Sequence, residues 1–281
     1  MAFYYGNFPL ILTWYQKTLA AFQELDLPSS MAYHSEYFEI WGFASLAVPT
    51  LLQVGMIGEA SALMKVIGFT VDREGFERME IVTEGLKSLF QGIIDGELLL
   101  MMVKFLAICA SSPGSINEEG AVSAFLDGVS PQQVADMERE GTALARRFAV
   151  IDLTSFGALA FYRCGREDQA VELCKLAVDP KQKTERKTSL VSCFRLLGEI
   201  WAKRGALEDA ESHFANALKE AKISRLPMLE VLTARDWKRH LLEPNGRDAS
   251  AAEAVIDGAC AKMGKTREQL GPVLVGPIME A

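Results

Sequence analysis

The segment Phe194–Leu218, FRLLGEIWAKRGALEDAESHFANAL, constrains the fold more than any other part of the chain, because its small and bulky residues fall where two antiparallel helices touch. Gly198 stands three residues before Trp201, Gly205 supplies a turn, and Ala210, Phe214 and Ala217 follow at spacings of four and three. Small side chains at one position and bulky ones at the next let the ridges of one helix enter the grooves of another. The segment therefore reads as a helical hairpin. The same register recurs: Gly165, Gly205 and Gly246 are separated by 40 and 41 residues. Each is followed five residues later by an alanine (Ala170, Ala210, Ala251) and four further on by an apolar residue (Cys174, Phe214, Val255). Three similar hairpins are expected. Asp179-Pro180 closes the first. Thr188 or Ser189 is expected to cap the helix running to Arg204, and Asp248 or Ser250 the helix beginning near Ala251, by offering a side-chain oxygen to free backbone N–H groups.

A bulky residue, Leu-Gly, an aromatic three on, a turn glycine and then Ala, Phe and Ala resemble the tetratricopeptide repeat pattern, most clearly over residues 151–260. The resemblance implies an all-α fold, an α-solenoid of antiparallel hairpins, whose inner groove binds other proteins. The period of about 40 exceeds the family's usual ~34 residues. The excess lies between hairpins, in DPKQKTERKTS and AKISRLPMLE. In the resembling family the first helix of each pair lines the groove. Carried over, this presents Ser155, Leu159, Tyr162 and Arg163, then Ser192, Arg195, Glu199 and Lys203, then Thr233, Asp236 and His240. The expected partner-binding residues are Tyr162, Arg163, Arg195, Glu199, Lys203, Asp236 and His240, standing on otherwise solvated helix faces. Reversing Arg195 and Lys203 to Glu is expected to leave folding intact and weaken partner capture. Clamps for the acidic tails of heat-shock chaperones use Lys, Asn and Arg at fixed groove places. Here Leu159, Glu199 and His240 stand where the asparagine would be, so that activity is not implied.

Residues 1–130 are expected to form a divergent N-terminal helical region with an aromatic-rich start, and residues 131–281 the repeats. Trp41–Gly68 carries a fainter copy of the pattern, with Gly55 in the turn followed by Ala60 and Met64, and Gly96, Met101 and Phe105 follow in the same spirit. Turn formers crowd Ser112–Ser130, and Ser130-Pro131 pairs a cap with a first-turn proline. The aromatic cluster from Phe3 to Phe43 has two readings: it closes the N-terminal end of the solenoid, or it anchors a second copy or a larger assembly. The short candidate strands FTVD and PVLVGPI lack partners.

Composition narrows the function. Apolar residues at 49% and charged residues at 23% fit a folded protein, and a formal charge of −8 repels a phosphate backbone, so nucleic acid is not an expected partner. KQKTERK and RDWKRH read as solvated surface. The longest apolar run, Leu98–Ala110, is interrupted by Lys104 and too short to span a bilayer, so no integral membrane segment is expected and the run reads as a buried helix. Without a basic n-region at the start, the cytoplasm is the expected location, with an organelle also compatible. Cys109, Cys164, Cys174, Cys193 and Cys260 contain no C-x-x-C pair and read as structural thiols in a reducing compartment, Cys174 as a small core residue.

His34, His213 and His240 are scattered, and His213 should point off the core face. No H-E-x-x-H, G-x-S-x-G or phosphate-binding glycine loop occurs. Acidic pairs such as Glu118/Glu119, Glu138/Glu140 and Asp209/Glu211 read as solvated. No catalytic, cofactor-binding or metal-ligating residue is therefore expected. The function that follows is a non-catalytic adaptor or assembly subunit for a protein or peptide partner. The alternative is a regulatory helical-repeat region of a larger signalling enzyme.

Overall fold

A computed structural model describes residues 16–17, 20, 47–49, 51–52, 56–89, 96–111, 116, 120–140, 153–179 and 187–271. The aromatic cluster from Phe3 to Phe43, Gly55, His34, the Glu118/Glu119 pair and most of KQKTERK lie outside the described residues. Among the described residues the chain is all-α, without a strand. The helices are α1 Ile57–Val66, α2 Arg73–Leu89, α3 Gly96–Ala110, α4 Ala121–Asp127, α5 Pro131–Glu140, α6 Leu153–Arg163, α7 Glu167–Val178, α8 Lys187–Lys203, α9 Leu207–Ile223, α10 Pro227–Trp237 and α11 Ser250–Met263. None is long and apolar enough to cross a membrane.

The three turns expected from the glycine register share one conformation. Gly165, Gly205 and Gly246 have φ of 72°, 77° and 62°, the left-handed region that glycine enters without steric cost. In each, the next amide reaches back five residues: Arg166 to Phe161, Ala206 to Trp201 and Arg247 to Leu242. This is the Schellman closure, which satisfies carbonyls that the ending helix leaves open. Each turn folds the second helix of its pair against the first, α7 on α6, α9 on α8 and α11 on α10. The first helices also lie side by side, α3 against α6, α6 against α8 and α8 against α10.

Inside the hairpins the pairing of small with bulky residues holds for the first two. A Cβ on Gly198 would stand 2.9 Å from the Phe214 ring, and one on Gly157 would stand 3.0 Å from Phe105 and 3.1 Å from Leu173. These glycines are what let the helices approach so closely. Ala170, Cys174, Ala210, Phe214 and Ala217 are all buried. The third hairpin departs from expectation. Ala251 is exposed and Val255 only half-buried; Ala252 and Ile256 occupy the core places instead. The cause is a longer connection: α7 and α9 begin two residues after their glycines, whereas α11 begins four after Gly246. Where the first two hairpins carry Gly157 and Gly198, the third has Arg239, and there the helix widens into a π-turn, Lys238–Leu242.

The helix ends correct two further expectations. Thr188 and Ser189 lie inside α8, and the buried Ser189 hydroxyl has no hydrogen-bond partner. Glu138, expected in solvent, is buried and accepts the Thr154 N–H at 2.6 Å, so it serves the open N-terminal end of α6. Two expectations hold: Ser130 Oγ accepts the Gln133 N–H at 3.1 Å just ahead of Pro131, and Asp248 accepts the Ser250 N–H at 2.9 Å.

One hydrophobic cluster runs from Val48 through α1, α3 and α6 to Ile200, and so crosses the boundary expected at residue 130; a second joins α8, α9, α10 and α11. The apolar run Leu98–Ala110 lies within α3 and is buried except at the half-buried Leu100. Lys104 survives there because its ammonium meets Glu80 at 2.7 Å and lies 5.0 and 5.3 Å from the ring centroids of Phe76 and Phe125. All five cysteines are free and buried.

Candidate functional site

The side-by-side arrangement of α6, α8 and α10 brings together the residues that the groove geometry singled out. Equivalent positions of successive hairpins meet, and several carry complementary charges. Arg195 on α8 donates through Nε and Nη2 to Asp236 Oδ2 on α10, at 2.8 and 2.5 Å, across a separation of 41 residues. Lys203 Nζ donates to the Tyr162 hydroxyl at 2.6 Å, again 41 residues away. The Tyr162 hydroxyl donates to Glu199 Oε1 at 3.1 Å, and Lys203 Nζ lies 3.2 Å from the same oxygen. His240, carried on the π-turn, points Nε2 towards Glu199 Oε2 from 3.7 Å, beyond hydrogen-bonding distance. The result is a ladder of polar pairs stitching one first helix to the next.

Solvent is largely excluded from it. Every residue of α6 is buried, as is Pro227–Asp236 on α10. Side chains of Arg195 and Asp236 are each 4% exposed. The solvated faces expected for these residues are thus not found, with the exception of Lys203, whose side chain is 45% exposed. Arg163 is also buried, at the end of α6, and its Nη2 donates to the Ser111 carbonyl at the end of α3. Its Nε has no hydrogen-bond partner.

Electrostatics follow from this burial. Loss of water would push the Asp236 carboxyl up, but Arg195 and then Arg235, whose Nε donates to Asp236 Oδ1 at 3.1 Å, together hold it below its ordinary value. Desolvation pulls Arg235 down to about 10 against the opposing pull of Asp236, so it stays charged at neutral pH. Burial, followed by the charge of Glu199, lifts the Tyr162 phenol above its ordinary range and keeps it a hydroxyl that can donate to the carboxylate. Each charge of the ladder is occupied by another member. Among the described residues, no group of three His, Cys, Asp or Glu side chains could hold a metal ion.

The remaining histidine, His213, is half-buried beside Phe194 with ring centroids 6.1 Å apart, and desolvation lowers its pKa. It does not join the ladder. Groove geometry marks every ladder residue except Arg235 in the sequence, but not that these residues pair with one another. The signal was present: Arg195 and Asp236, Tyr162 and Lys203, and Glu199 and His240 are each one repeat apart. Gly157 is also left unmarked, although that residue lies 41 before Gly198.

Fold and site together define an all-α protein of packed helical hairpins joined laterally by a buried polar ladder. No family model matches the chain, and no curated protein or solved structure matches it significantly.

Proposed function

We propose that this protein is an α-solenoid of hairpins resembling tetratricopeptide repeats, acting without catalysis as an adaptor or assembly subunit that binds a protein partner. The observation that carries the reading is the pairing of equivalent residues one repeat apart, as Arg195 with Asp236 and Lys203 with Tyr162. That is how stacked identical units meet, and such stacking builds extended surfaces suited to other proteins. The ladder supports a framework role: Asp236 is engaged by Arg195 and Arg235, and Glu199 by Lys203 and the Tyr162 hydroxyl. Five buried free thiols fit a reducing compartment, and we place the protein in the cytoplasm. A partner would then meet the exposed faces of the helices, since reaching Arg195 or Asp236 would break a buried ion pair. The test is affinity capture from a native extract, run beside light scattering on the pure chain. A stoichiometric partner with a monomeric pure chain is expected. A homo-oligomer that captures nothing would overturn the reading.

A further inference from the structure

The ladder lies on one side of α8, and on the opposite side, where α8 packs on α7 and α9, a groove remains. Trp201 is two residues beyond Glu199, which at 100° per residue turns its side chain to the other side of the helix. It is only partly buried there. Together with Val171 and Leu176 of α7 it lines a groove of about 410 Å³ between α7 and α8. The rim is acidic. Arg204 lies 5.1 Å from the centroid of the Trp201 ring, and its guanidinium is already engaged by Glu167 and by Asp168, the latter at 3.0 Å. Asp168 remains 98% exposed. Glu172, also on the rim, is exposed and has neither an ion pair nor a hydrogen bond. With Asp179, three carboxylates line the groove against the two cations Lys175 and Arg204, and Arg204 is also held by Glu167.

We propose that this groove docks a short basic segment of a partner protein, one in which a lysine or arginine adjoins an aliphatic side chain. This deepens the adaptor reading and rests on it. The aliphatic group lies on Trp201 and Leu176, and the cation reaches the unpaired carboxylate of Glu172 and the exposed one of Asp168. Tryptophan is over-represented among the residues that dominate binding energy, because it offers a large rigid apolar surface with little entropy to lose. Charge complementarity selects the partner: an acidic rim on a chain of net charge −8 attracts basic segments and repels acidic ones.

The test uses the full chain and a short peptide alternating lysine and leucine, with its glutamate–leucine counterpart as control, read by the NMR signal of the Trp201 indole N–H. Trp201→Phe identifies that signal. The basic peptide is expected to shift it, the acidic one to leave it in place, and Glu172→Lys to weaken binding about tenfold. Glu172 is exposed, so this variant folds as the parent does. An unmoved Trp201 signal, equal binding of the two peptides, or indifference to Glu172→Lys would each overturn the proposal. A stoichiometric partner captured equally by parent and Glu172→Lys would overturn the groove while leaving the adaptor reading standing; failure to capture any partner strikes at the adaptor reading itself.

Discussion

Asp236 stands between two guanidiniums in a place that water does not reach, and its protonation is therefore tied to folding. Its carboxyl is held below the ordinary value in the folded chain by Arg195 and Arg235, against the upward push of burial. The unfolded chain thus takes up the proton first as pH falls. Stabilisation by this group is complete above the ordinary carboxylate pKa of ~4 and drains away as pH drops towards the folded value. Asp236→Asn leaves two buried cations without their anion and is expected to cost about 3–5 kcal/mol at neutral pH, while flattening the acid limb of stability. Urea unfolding at a series of pH values reads both effects, and an acid limb unchanged in the variant would contradict this account. Arg195→Glu, one half of the double reversal with Lys203→Glu expected from sequence to spare the fold, would instead set a carboxylate against Asp236 and is expected to unfold the chain. Lys203→Ala, at a half-exposed side chain, should cost no more than about 1 kcal/mol. Thermal melts of these two variants separate buried from rim members of the ladder.

Between helices the decisive residues are the small ones. Gly198→Ala would bring a methyl group within 2.9 Å of the Phe214 ring, and the strain of about 1–3 kcal/mol outweighs the gain of up to ~1 kcal/mol in helix propensity. Gly258 lies in the middle of α11 with open space around it, so Gly258→Ala receives that gain alone and should stabilise by about 0.5–1 kcal/mol. Opposite signs in the two denaturation midpoints are expected; equal signs would refute the close packing of α8 on α9. Ala210→Glu, at a fully buried position, should cost several kcal/mol, about 3–5, on the same reasoning as any unpaired buried charge. Much of this was legible in the sequence, because helix-pair packing writes itself locally as glycine, alanine and aromatic spacing. The register of α11 was not, since it depends on two extra residues in the turn after Gly246 and on the π-turn around Arg239, neither of which leaves a periodic trace. Glu138 was misread for a related reason. Its burial comes from the arrival of α6, sixteen residues on in the chain.

Across the whole molecule the same limit applies to the site. Sequence spacing put Tyr162, Arg195, Glu199, Lys203, Asp236 and His240 along one groove on the first helices of the pairs, and they lie on α6, α8, α10 and the π-turn after it. Whether such residues face a visitor or one another depends on how closely successive first helices approach, a long-range property. They approach closely enough to pair, and the polar residues that resembled contacts became internal fastenings. The groove proposed for docking lies instead between α7 and α8, lined by Trp201, a residue that sequence spacing marks only as part of the repeat pattern. Hydrogen exchange of the intact chain, with and without its captured partner, tests this division most directly. The partner is expected to slow exchange along α7 and around Trp201 and to leave α6 and α10 unchanged. Protection concentrated on α6 and α10 would contradict this and return the partner to the ladder.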